Sequence, residues 1–281
     1  MNPEHEEHPI NAETGKKYGV RGYPAILFVS PDGGLIKYHS GYAPPEKFAP
    51  VMEEALKKEA EFQAKLVKLK EMPEDVALNR EVGILYLQRQ QIEKALPIGQ
   101  KMPDDVELNR EFGIYYLGKK EFDKALLISE KMPDDIKLNN EFTITYLNQG
   151  DIEKALPFSK KVFEDDPKNT SGFLPGLHIK LGIAYGNQIR NTAEDVAAEN
   201  TKMAVMHFQK VIDTYPKSDV FEPAQLYLGI TYSISKQYDK SIEVFEKLVN
   251  HTTDDRMKQS AEANLKRVKE LAAEAAPKSD N

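Results

Sequence analysis

Three consecutive near-copies in the middle of the chain constrain the fold more than any other feature. MPEDVALNREVGILYLQRQQIEKALPIGQK starts at Met72, MPDDVELNREFGIYYLGKKEFDKALLISEK at Met102 and MPDDIKLNNEFTITYLNQGDIEKALPFSKK at Met132. Both steps are therefore 30 residues, 102 − 72 and 132 − 102. Self-similarity at such a period marks stacked repeats, in which no single unit can bury its apolar face alone. Inside each copy an apolar pattern of helical period breaks at a polar turn and then resumes. In the second copy Leu108, Phe112, Tyr115 and Tyr116 precede Gly118-Lys119-Lys120, and Phe122, Ala125, Leu126 and Ile128 follow. Each copy predicts a helix–turn–helix unit.

The joint between copies, Met-Pro-Asp/Glu-Asp, predicts a proline in the first turn of the next helix, with aspartates at the positive end of its dipole. Small residues recur where paired helices come closest. They are Gly83, Gly113 and Thr143 on the first helix, and Ala95, Ala125 and Ala155 on the second. Tyr86, Tyr116 and Tyr146 follow three residues after the first of these sites. This order and spacing of Gly, Tyr, Ala and Pro resembles the tetratricopeptide repeat. That family has a period of about 34 residues, so each copy here is short by about one helical turn. The shortening is expected in the second helix, because Gly83 to Ala95 keeps the family's spacing and Ala95 to Pro103 is compressed. Pro97 and Pro157 fall early in those second helices, where they cost or bend a hydrogen-bonded turn.

Two longer copies are expected at about 172–216 and 220–250. Leu181-Gly182, Tyr185, Ala204, Phe208 and Pro216 mark the first, with about ten residues around 191–200 inserted between its helices. Leu228-Gly229, Tyr232, Ser241 and Phe245 mark the second. An amphipathic helix over about 255–275 reads as the polar cap that the end of a solenoid requires, followed by a tail at Pro277–Asn281.

Residues 1–58 follow a different pattern. The apolar run Ala25–Ser30, bounded by Pro24 and Pro31, predicts a buried strand. Pro31-Asp32-Gly33-Gly34 predicts a tight turn, and Leu35–Ser40 a second strand in which Ile36 and Tyr38 alternate with Lys37 and His39. Pro44 and Pro45 then open a helix carrying Phe48, Val51, Met52 and Ala55. The string from Lys17 to Phe28, KYGVRGYPAILF, with the following turn, the Gly41-Tyr42 pair and the closing helix, resembles the second half of a thioredoxin fold. The resemblance implies a cis peptide bond before Pro24 and a substrate groove shaped by Tyr23 and Pro24. The first strand, the helix with a Cys-x-x-Cys pair and the second strand of that fold have no counterpart in the sequence. The expectation is a chain shortened at its N-terminus, with a degenerate half-domain packed on the repeats as the simpler alternative. The central strand would then expose an apolar edge open to oligomerisation.

The join adds to this picture. Glu61-Phe62 through Met72 aligns, 60 residues earlier, with Glu121-Phe122 through Met132, so the closing helix is expected to run on into a half repeat at 59–71. No Gly/Ser-rich linker intervenes, which predicts a semi-rigid connection. The expected organisation is mainly α: a half-domain at 1–58, repeats at 59–254, and a cap and tail at 255–281.

Composition narrows function chiefly by exclusion. Among 281 residues there is no cysteine, which removes disulfides, thiolate catalysis and zinc–thiolate sites from this sequence. A net charge of −7 argues against nucleic-acid and anionic-membrane partners. No apolar run reaches the length of a transmembrane helix, and the acidic stretch Met1–Glu13 has no signal-peptide core. His5-Glu6-Glu7-His8 lacks the order and third ligand of a zinc helix, and His39, His178, His207 and His251 form no recognisable Ser/His/Asp grouping. Gly33-Gly34 is a turn and not a phosphate loop. Asn169-Thr170-Ser171 and Asn250-His251-Thr252 match the short glycosylation pattern. No catalytic residue, cofactor or metal is expected.

The repeats are expected to bind a protein or peptide on the inner face of their first helices. The best-known peptide-binding relatives clamp a carboxylate there with Lys, Asn and Arg. The corresponding face here carries Glu81, Glu111 and Glu141 beside Ile84, Ile114 and Ile144, with Arg80, Arg110 and Asn140 alongside. Acidic plus aliphatic predicts a basic or amphipathic ligand, with Arg80 and Arg110 neutralising part of the acidity. The alternative has the glutamates solubilising the helices and the isoleucines packing between repeats. A redox protein of the thioredoxin family, its Cys-x-x-Cys half missing from this chain, is the second functional reading.

Overall fold

A computed structural model describes residues 9–190 and 192–275; the His5/His8 pair and the tail Pro277–Asn281 lie outside them. The described residues form α1 (Pro9–Lys17), β1 (Ala25–Val29), β2 (Leu35–Ser40), α2 (Pro45–Glu71), α3 (Val76–Gln88), α4 (Ile92–Lys101), α5 (Val106–Gly118) and α6 (Phe122–Lys131). They continue with α7 (Ile136–Asn148), α8 (Ile152–Asp165), α9 (Leu174–Asn187), α10 (Glu194–Thr214), α11 (Phe221–Ile234), α12 (Tyr238–His251) and α13 (Asp255–Ala275). The chain is mainly helical, and its helices pack in sequential pairs as in a solenoid. Two compact units, Met1–Met132 and Pro133–Asn281, divide it between the second and third copies. None of the described helices is long and apolar enough to cross a membrane.

The three 30-residue copies share one local device. Asp75, Asp105 and Asp135 are the N-caps of α3, α5 and α7, and each carboxylate accepts the N–H of the leucine three residues on, at 2.9 Å. The prolines expected inside these helices lie instead in the preceding turn, outside the hydrogen-bonded region. There Pro73, Pro103 and Pro133 each offer a carbonyl to the side-chain amide of Asn79, Asn109 or Asn139, at 2.8, 2.7 and 2.8 Å. The asparagine ties the first helical turn to the turn before it. Sequence reasoning passed over it, although it occupies the same place in all three copies.

Close helix approach depends on the small residues. Ala95, Ala125, Ala155 and Thr143 are fully buried. A Cβ on Gly83 would lie 2.9 Å from Leu108 Cδ1, and on Gly182 or Gly229 it would lie 2.6 Å from the Phe208 or Phe245 ring. No such contact is tolerated in a close-packed core. Helices α4 and α6 have ten residues, whereas α8 and α12 have fourteen. The difference of four, 14 − 10, is about one turn, so the shortening falls on α4 and α6 while α8 keeps full length. Both α4 and α8 run through their internal prolines, Pro97 and Pro157.

In the first unit β1 and β2 pair antiparallel, with Ala25 opposite Ser40 and Phe28 opposite Lys37. Gly33 takes φ +81° in the connecting turn, a conformation that favours glycine. Helix α2 is continuous over 27 residues and carries both Phe48, which stacks on Phe28 at 6.1 Å, and Phe62, buried against α3. The predicted buried strand is corrected: Ile26 and Val29 are 38% and 39% exposed. The sheet has two strands among the described residues, and α2 meets it through the Phe48 ring, against Phe28 and His39, and through Glu54, which pairs with Lys37. Helix α1 was not anticipated from the sequence.

In the second unit α9 is the central helix, packed on α7, α8, α10 and α11, with Leu177 and Leu181 almost wholly buried. Of the residues expected as an insertion between helices, 194–200 instead lengthen α10, which starts at Glu194 and spans 21 residues. Helix α13 packs on α11 and α12 through Ala261 and Val268.

Candidate functional site

The nine groove residues inferred from the repeats fall in different surroundings. Positions 77, 81, 84 and 88 of α3, and 107, 111, 114 and 118 of α5, recur at helical spacing and so share one face of each helix. On α3, Glu81 lines an open groove of about 710 Å³ against α2, with Glu61, Lys65, Lys68, Met72 and Asp75. Lys65 Nζ reaches Glu81 Oε2 at 2.5 Å. Met72, at the groove's edge, is 47% exposed. On α5, Glu111 and Ile114 line a second cavity of about 280 Å³ with Leu87, Gln88, Tyr115, Lys119 and the Tyr18-Gly19 segment. Ile84 is half-buried against the core around Val82, Leu108 and Phe112.

Arg80 pairs with acidic groups of the next copy, with Glu107 Oε2 3.8 Å from its Nε and Asp105 closer. Its Nε lies 3.0 and 2.7 Å from the two carboxylate oxygens of Asp105, and its Nη2 lies 2.6 Å from Oδ2. Arg80 therefore joins the first copy to the N-cap of the second, and its hydrogen bond holds the Asp105 carboxyl below the usual range. The charge opposite Glu81 comes from Lys65 on α2. Arg110 is half-buried beside Glu111. Asn140 is buried, and Glu141 and Ile144 are half-buried on α7 of the second unit. The first six groove residues thus belong to one compact unit and the last three to the other.

The Tyr18 segment is held in place by its own contacts. The Tyr18 hydroxyl donates to the Gly33 carbonyl at 2.9 Å, and Lys119 Nζ donates to the Lys17 carbonyl at 3.2 Å. Burial pushes the Lys119 ammonium below and the Tyr115 hydroxyl above their ordinary values.

The hairpin is anchored to the loop between α3 and α4. Leu35 N–H donates to the Arg89 carbonyl at 2.9 Å, Lys94 pairs with Asp32, and a Cβ on Gly34 would lie 2.8 Å from Gln91 Oε1. The Lys94 hydrogen bond, with help from Ser30, keeps the Asp32 carboxyl well below its usual range. Arg89, 5% exposed, lies 4.2 Å over the Phe62 ring and 2.6 Å from Glu59 Oε2. Tyr23 and Pro24 are exposed at the start of β1, joined by a cis peptide bond. Gly41 N–H donates to the Pro24 carbonyl at 2.9 Å. Neither residue lines the cavities of α3 and α5.

Other candidate residues have structural roles. Asn169, in the first glycosylation-like triplet, adopts φ +57° and its side-chain oxygen accepts the Leu174 N–H at 3.0 Å. Thr170 and Ser171 bind the buried Asp166 through N–H and hydroxyl groups, and these bonds bring that carboxyl down to about 2. Two of the scattered histidines meet: His178 and His207 approach to 2.9 Å between their Nδ1 atoms. Among the described residues no group of three or more His, Cys, Asp or Glu side chains could hold a metal.

Residues 1–56 match the family model of a thioredoxin-like domain. Comparison with curated proteins returns no match to the chain.

Proposed function

We propose that the chain is a non-enzymatic protein–protein interaction scaffold built from tetratricopeptide-type repeats, with the thioredoxin-like segment docked on the first of them. The carrying observation is the shared face of α3 and α5. Glu81, Ile84, Glu111 and Ile114 keep partial exposure there, while the residues around them, Asp75, Asn79, Gly83 and Ala95, serve caps and packing. Aliphatic side chains flanked by glutamates suit an amphipathic segment with basic residues.

The test is a titration of the full chain with a labelled Lys/Leu amphipathic peptide, with a Glu/Leu peptide of equal length as comparison. Saturable binding of the basic peptide is expected, weakened about tenfold or more, roughly 1.4 kcal/mol, by Glu81→Lys with Glu111→Lys. Equal affinity for both peptides, or no response to the charge reversals, contradicts the reading.

The thioredoxin-like match favours a second reading, a thiol–disulfide oxidoreductase or redox chaperone in which Tyr23 and Pro24 shape a substrate groove. The 281 residues supply no thiolate for that chemistry. The intact mass and N-terminal peptide of the protein from its source decide between them. An additional segment with Cys-x-x-Cys supports the redox reading.

A further inference from the structure

The second unit contains a pair of ionisable rings that nothing in the proposed scaffold role uses. His178 on α9 and His207 on α10 are 8% and 4% exposed, and their Nδ1 atoms are 2.9 Å apart. At that distance one ring donates and the other accepts, so as a neutral pair the two are opposite tautomers. Phe163 of α8 stacks on His178 with centroids 4.6 Å apart. Tyr185 of α9 stacks on His207 at 6.0 Å, and Tyr215 lies 6.4 Å from His178.

The charged surroundings give an added proton little support. Lys210 of α10 acts on His178 and disfavours its charged form, as does His207 itself. Asp166, at the end of α8, is committed to Thr170 and Ser171 and faces Tyr215. No carboxylate from α7, α8, α9, α10 or α11 hydrogen-bonds either ring among the described residues.

We propose that the His178–His207 pair is an acid-sensitive latch, whose protonation opens the packing of α8, α9 and α10. A proton added to the accepting Nδ1 sets two N–H groups face to face and breaks the bond. A proton added at Nε2 of the donating ring keeps the bond but leaves a net charge in an aromatic cage. Either way the protonated pair gains by reaching water, and α9 must separate from its neighbours for that to happen. Burial places the native rings at about 3 and about 4. The pair's contribution is therefore complete above the unfolded imidazole value near pH 6.5 and is lost as the pH falls below it.

The experiment is amide exchange of α9 in the full chain at pH 7.5 and 5.0, corrected for intrinsic rates. The opening constant for residues 177–181 is expected to rise about 30-fold per histidine, about 1,000-fold for the pair. His178→Asn with His207→Asn, which keeps hydrogen-bonding groups but cannot titrate, is expected to hold the rise below about tenfold. If that variant does not fold, imidazole NMR of the wild-type chain gives the answer. Two rings should stay neutral at pH 5.0 until α9 opens. Native rings that titrate near pH 6.5 without added exchange overturn the latch, as does an unchanged opening constant.

Discussion

Phe208→Ala is expected to destabilise the second unit by about 3–5 kcal/mol, lowering its melting midpoint by about 6–20 °C. Phe208 is 1% exposed and belongs to a core with Tyr185, Ala204, Val211 and Leu228. Its ring fills the space left by the absent side chain of Gly182 and stacks on Tyr227 at 5.9 Å. Removing it deletes the largest fully buried side chain of that core and leaves a cavity that glycine cannot refill. The converse change, Gly182→Ala, is expected to cost about 1–3 kcal/mol because the new methyl meets the ring. Circular-dichroism melts of the two variants check both values. A loss below about 1 kcal/mol for Phe208→Ala would mean that α9 and α10 do not pack as described.

Arg89→Met is expected to cost the first unit about 3 kcal/mol, with most of the loss recovered when Glu59→Gln is added. The methionine keeps an apolar side chain of similar reach but loses the guanidinium over Phe62 and leaves Glu59, 23% exposed, without its cation. Replacing both partners removes the uncompensated charge, which is why the double variant should lie close to wild type. Urea unfolding of the four proteins forms the thermodynamic cycle. Because the Arg89 carbonyl also receives the Leu35 N–H, Arg89→Met is further expected to raise amide exchange in β2. Additive losses in the cycle would show that Arg89 and Glu59 do not act as a pair.

The helical architecture was legible because its causes are local and repeat. Helical apolar spacing, Gly83 with Ala95 at the contact point and a turn every half-copy each require only neighbouring residues. Other features depended on distances that sequence does not state. Arg80 looked like a groove residue because it adjoins Glu81, yet its partner Asp105 is 25 positions away. The meeting of His178 and His207 joins residues 29 apart and follows no repeat position. The strand Ala25–Val29 read as buried because its side chains are apolar, but burial depends on what covers the sheet, and only Phe48 of α2 stacks over Phe28. The groove was legible as a face of α3 and α5. Its lining by Tyr18 and Gly19 was not, since α1 and the segment after it carry no periodic signal.

Methyl NMR of the isoleucines, followed through a titration of the full chain with the Lys/Leu peptide, tests the scaffold reading most directly. Ile84 and Ile114 lie on the proposed binding face, Ile98 is buried in the core behind it, and Ile26 is exposed on β1 and lines neither cavity. The account predicts saturating shifts at Ile84 and Ile114, with Ile98 and Ile26 unmoved. Shifts confined to Ile26, or no shift at any isoleucine, would contradict it.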